Sequence, residues 1–128
     1  LIIPKQQITP INSRLPITEG SMGVKSLIHI HTHDMGQDLV FIVTGGTAHI
    51  GAMATAYMSG DQIVHSDVLV VPGHREGELA VELARMACCV LKRTVAVLVG
   101  IHLDQPTKQE IEDIVIEAIR TMAQFLDQ

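Results

Sequence analysis

At 128 residues the chain has the length of one domain and can bury a single core covering roughly two-thirds of its unfolded surface. Its apolar content of 47% and charged content of 18% suit a globular protein, and no apolar run approaches the ~20 residues of a membrane span, so no membrane partner is expected. A net charge of −5 and an aromatic content of 2% argue against nucleic acid, which calls for a basic stripe or base-stacking rings.

Taken in chain order, the first 22 residues hold Pro4, Pro10 and Pro16 and no clean period. They read as an arm or an edge strand ahead of a single domain over 23–128. No signal-peptide pattern is read there, and the first residue, Leu1, is not Met. Residues 25–32 alternate as a strand, 34–37 read as a turn, and 38–44 form the next strand. A glycine-rich loop follows, then a strand over 51–58 and a turn at 59–61. The next strand is best placed at 68–71, before Pro72-Gly73.

Two helices are predicted. Over 76–91 the apolar residues Leu79, Leu83, Met86, Ala87, Val90 and Leu91 recur every three or four positions. The second helix opens on Thr107-Lys108-Gln109-Glu110, a T-x-x-E capping box just after Pro106. Its stripe runs from Ile111 through Ile114, Ile119 and Met122 to Phe125. Between the helices, 94–103 reads as a strong strand. This order suits an α+β layer fold better than repeated βαβ units. The strands at 38–44 and 94–103 are apolar on both faces and must be covered twice. Either one helix covers each side, or both helices share one side and a second copy of the chain covers the other, which predicts a homodimer.

The most informative stretch is Val43-Thr44-Gly45-Gly46-Thr47-Ala48-His49-Ile50-Gly51. Glycine tolerates positive φ and lets a ligand or another backbone come close. Such a loop at a strand end either turns several N–H groups onto one anion or is simply a tight hairpin. It lacks the Gly-Lys-Ser/Thr of a Walker loop and the spacing of a dinucleotide fingerprint, so an ATPase and a nicotinamide dehydrogenase are set aside.

Other candidates are more local. His29, His31 and His33 share one strand face about 7 Å apart, a rise of roughly 3.4 Å per residue taken twice. They read either as transition-metal ligands needing a fourth donor such as Asp34 or Asp38, or as a solvated strand face. Pro72-Gly73-His74-Arg75-Glu76-Gly77-Glu78 lies where a strand passes into a helix. There His74, Arg75 and the free helix N–H groups can hold a phosphate or carboxylate, while Glu76 and Glu78 can instead serve the helix dipole. His102 stands near a strand end. His65 has no partner that the sequence names, and no nucleophile–base–acid set is recognisable. Cys88 and Cys89 are adjacent, too close for an unstrained disulfide, and read as small core hydrophobes in a reducing cytoplasm.

The glycine loop, Pro72 with His74, and Gly100-Ile101-His102 with Gln105 and Thr107-Lys108 together resemble the small accessory protein of gallate decarboxylase. That is the prenylated-flavin chaperone-like family, related to proteasome-assembly chaperones. The resemblance covers roughly residue 25 to the C-terminus. It implies a mostly antiparallel sheet of about six strands with two long helices packed on it, and pairing of two copies. It also implies a non-catalytic accessory role: helping a large prenylated-FMN-dependent decarboxylase acquire or hold its cofactor, FMN or prenylated FMN. The implied binding residues are Gly45, Gly46, Thr47, His49, Gly51, His74 and His102, to which the strand-to-helix reading above adds Arg75. Two other readings stay open. One is a small metal-dependent enzyme built on His29, His31 and His33, to which the resemblance adds nothing. The other is an assembly chaperone with no small ligand.

Overall fold

Alternation decides the first hairpin. The computed structural model describes residues 27–128, so the arm or edge strand expected over 1–22 lies outside the described residues. Strand β1 (Ile28–Met35) buries Ile28, Ile30 and Thr32 and exposes His29, His31 and His33. It runs past the predicted end at 32 because the turn is only two residues, Gly36-Gln37, with Gly36 at φ +69°. Strand β2 (Asp38–Gly46) returns with Asp38 opposite Met35 and Gly45 opposite Ile28.

Strands β3 (Ala52–Met58) and β4 (Val64–Val70) form a second hairpin, followed by α1 (Gly77–Leu91), β5 (Val95–His102) and α2 (Lys108–Leu126). Strand β4 starts earlier than the predicted 68–71. His65 and Asp67 interrupt its apolar run, yet an edge strand accepts polar residues on its open face. Both helix ends follow local chemistry. Lys92 closes α1 in the left-handed conformation, its N–H donating to the Cys88 carbonyl. At the start of α2 the predicted capping box forms: the Glu110 N–H donates to Thr107 Oγ1 at 3.0 Å and the Thr107 N–H to Glu110 Oε1 at 2.8 Å.

The fold is α+β, with strand order β1-β2-β5-β3-β4. Five strands stand among the described residues, one fewer than the roughly six expected. The sheet is mostly antiparallel, but β2 and β5 pair in parallel. Strands β2, β5 and β4 therefore end at one edge of the sheet, where β1 and β3 begin.

Both helices lie on one face. Leu39, Phe41 and Val43 of β2 and Val95, Val97 and Val99 of β5 are buried against Leu83, Ala87 and Cys88 of α1 and Met122 and Phe125 of α2. Phe41 meets Phe125 edge to face with ring centroids 5.5 Å apart. Small residues Ala52, Ala54 and Ala56 of β3 let α1 lie close. Arg93, just past α1, is buried and ties the helical layer to the first hairpin. Its Nε donates to the Gln37 carbonyl at 2.8 Å and its Nη2 to the Gly36 carbonyl at 3.1 Å.

Among the described residues, no helix packs on the opposite face. In register across it lie His31, Ile42, Leu98, Met53 and Leu69. Ile42 is 38% exposed, Met53 43% and Leu69 62%. Among the described residues, no helix is long and apolar enough to cross a membrane.

The cysteines correct one expectation. Successive helical side chains diverge by about 100°, so only one of two neighbours can face the core. Cys88 is buried and Cys89 is exposed. Burial, and then the neighbouring Cys89, pushes the Cys88 thiol above its ordinary range. Native protein at pH 8 is expected to lose the Cys89 thiol rapidly to iodoacetamide while Cys88 reacts only on unfolding, as peptide mapping by mass spectrometry would read; equal labelling of both would contradict the burial.

Candidate functional site

The strand order makes a crossing necessary. Strand β5 lies between β2 and β3, so the chain leaving β2 must pass over the last residues of β5 to reach β3. Residues 47–51 make that passage. The Gly51 N–H donates to the Val99 carbonyl at 2.8 Å, and the Val71 N–H donates to the Gly51 carbonyl at 2.9 Å. The glycines clear the way. A Cβ on Gly100 would lie 1.6 Å from the His49 carbonyl oxygen, and one on Gly46, at φ +70°, would lie 2.0 Å from the His102 carbonyl oxygen. A Cβ on Gly51 would meet the Glu76 carboxylate at 2.2 Å.

Three connections thus gather at the sheet edge where β2, β4 and β5 end. From the first, His49 sits 26% exposed, its Nδ1 at 3.0 Å from the Thr47 carbonyl and its Nε2 at 3.1 Å from Glu76 Oε2. From the second come His74 and Glu76. The His74 and His49 rings stand edge to face at 4.9 Å. Glu76, whose side chain is 12% exposed, also accepts the Ile101 N–H on Oε2 at 3.0 Å. From the third comes His102, its ring 6.2 Å from that of His49 and its Nε2 at 3.2 Å from Asp104 Oδ1.

Of the residues singled out in the sequence, Gly46, Thr47, His49, Gly51, His74 and His102 share this edge. Thr47 takes part through its carbonyl oxygen. Gly45 is buried against Ile28 and Ile101, where a Cβ would be tightly packed, so it serves the strand pairing. Arg75 is exposed and lines, with His74, a groove of about 920 Å³ between β4 and α1. Val64, Val68, Val70, Val81 and Met86 give that groove its apolar wall. His29, His31 and His33 lie apart, in a row along β1 on the open face.

Two members of the site are not legible as such in the sequence. Gly100 enters there only as part of a motif, although it carries the crossing. Glu76 reads there as a helix-dipole residue. It does occupy the N-cap position of α1, but its side chain makes no capping bond and turns to His49 and Ile101 instead. Nothing in a linear string links Glu76 to His49, 27 residues earlier.

A family model described as the prenylated flavin chaperone LpdD-like domain matches residues 24–128. The chain belongs to this family. No curated protein matches it. In this LpdD-like domain the matched span contains every described strand and helix, and the gathered histidines lie where three connections meet at one edge of the sheet.

The crossing gives a sharp test. Gly100→Ala forces two backbones apart and is expected to cost about 3 kcal/mol or more, as overpacking does. Gly60→Ala, with nothing within 4 Å of the added carbon, is expected to stay within about 0.5 kcal/mol of the parent. Urea unfolding midpoints read both, and equal values would refute the crossing.

Proposed function

We propose that this protein is a non-catalytic accessory chaperone that holds FMN or prenylated FMN for a flavin-dependent decarboxylase. Membership of the prenylated flavin chaperone family supports the accessory role. The observation that carries the ligand is the gathering of His49, His74 and His102 beside Arg75, at the mouth of an apolar groove. The phosphate would be held by His74 and Arg75 beside the Thr47 hydroxyl, as charge-assisted donors suit a phosphate, while Gly45 is taken up in the strand pairing and both ring nitrogens of His49 are engaged. The ring system would lie along Val68, Val70 and Val81. The groove is of the size of small-molecule sites. Phe41 and Phe125 are taken up in the core and Tyr57 stacks on His65, so the imidazoles are the planar groups offered to a flavin here.

The same reading includes a homodimer formed through the open sheet face. Val40, Ile42, Leu98, Met53 and Leu69 make an apolar centre, and His29, His31 and His33 along one edge and Asp67 along the other give it a polar rim. An apolar centre with a polar rim supports an interface between protomers there. The unpaired thiols agree with a cytoplasmic location.

FMN and prenylated FMN are expected to raise the melting temperature, with His74→Ala and Arg75→Ala each weakening the shift; no shift with either flavin would overturn the ligand assignment. Leu98→Asp is expected to convert a dimer to a folded monomer in sedimentation velocity. A dimer surviving that change would move the interface elsewhere.

A further inference from the structure

His49 poses a problem of protons. Its Nδ1 faces a backbone carbonyl, which can only accept, so Nδ1 carries hydrogen and donates to the Thr47 oxygen. A neutral imidazole then has a bare lone pair on Nε2. That lone pair points at Glu76 Oε2, 3.1 Å away, an oxygen already accepting from the Ile101 N–H. Two lone pairs do not hold each other at that distance. A proton or a metal ion belongs between them: a proton on the ring or on the carboxyl, or a metal ion.

The surroundings favour a metal. Ligand atoms of His49, His74 and Glu76 all lie within 4.8 Å of one another, and this is the group of three that so converges among the described residues. Metal–ligand bonds of about 2.0–2.1 Å put neighbouring donors of a tetrahedron roughly 3.3 Å apart. The His49–Glu76 separation matches that already, and the His74 ring needs a movement of roughly 1.5 Å at most, within a side-chain rotation. Gly73, at φ +87°, precedes it. The Thr47 carbonyl on the far ring nitrogen of His49 is the kind of partner that fixes tautomer and orientation in metal-ligating histidines. Ile101 N–H does the same for the carboxylate. Gly51 supplies the space that the carboxylate occupies.

We propose that His49, His74 and Glu76 bind one divalent transition-metal ion of the zinc class. Two imidazoles and a carboxylate suit Zn²⁺, Co²⁺ or Ni²⁺ rather than Mg²⁺ or Ca²⁺, which take oxygen donors. Three protein donors leave a coordination position open, and because His74 also lines the groove, that position adjoins it. The proposal does not rest on the flavin reading. It also differs from a metal site on β1: His29, His31 and His33 spread along a strand, whereas these three donors come from two connections folded onto one point.

The test uses metal alone, on untagged full-length protein. Isothermal titration with Zn²⁺ is expected to give one ion per chain. His74→Ala and Glu76→Gln are each expected to weaken binding by at least ~10-fold, the lower end of what even an outer-shell change costs. A variant with His29, His31 and His33 all changed to Ala is expected to bind as the parent does. Circular dichroism checks that the variants fold. The Co²⁺ form of the unmutated protein should show the intense visible bands of a four-coordinate nitrogen–oxygen site, which decides the matter should a variant unfold. No stoichiometric uptake, uptake unchanged in both folded variants, or uptake lost in the β1 variant would overturn the proposal. A flavin-induced rise in melting temperature in metal-free protein would leave the chaperone reading standing while this one fell.

Discussion

One topological constraint organises the molecule: β5 is inserted between β2 and β3, so the chain must cross the end of β5 on its way between them. Backbone crossing backbone at this distance leaves no room for side chains. Glycine at 46 and 100 answers that need, and Gly51 beside them makes room for the Glu76 carboxylate. The crossing brings His49 over the sheet edge, and the parallel direction of β2 and β5 puts both of their following connections at that same edge. Functional groups commonly collect on loops set at the ends of a rigid sheet, because the sheet fixes positions that the loops alone could not.

Glu76 is the hinge of the resulting cluster. A carboxylate only 12% exposed is costly to bury unless it is well partnered, and its Oε2 takes a backbone N–H from β5 and faces an imidazole nitrogen from the β2–β3 connection. It thereby links three segments distant in sequence. Helix α1 begins next to it without a side-chain cap, so the capping function natural to that position is given up for the cross-link. A residue that departs from its local role in this way is a sign that a site, rather than the helix, decides its placement.

The two faces of the sheet divide the work. The helical face is a single apolar cluster, closed by Phe41 against Phe125 and anchored to the first hairpin by the Arg93 fork. The open face carries an apolar row in which Ile42, Met53 and Leu69 stand open to solvent. On the helical side α1 reaches β4, and the groove beside His74 and Arg75 opens between them.

By itself the sequence determined what depends on neighbours along the chain. The two helices, the capping box at Thr107, the hairpin strands around Gly36 and the alternation of His29, His31 and His33 all rest on short-range periodicity or local hydrogen bonds. Its motifs also singled out His49, His74 and His102, though not what they touch. Tertiary structure decided the rest. The parallel pairing of β2 with β5, the full length of edge strand β4, the helices sharing one face, Cys89 turning outward and Glu76 reaching His49 all depend on contacts between residues far apart in sequence. Periodicity carries no record of such contacts. A repeat of two or 3.6 residues fixes which way a side chain faces within its own element, whereas strand order and the meeting of loops are set by how the elements bury one another's apolar faces, which is a property of the whole chain.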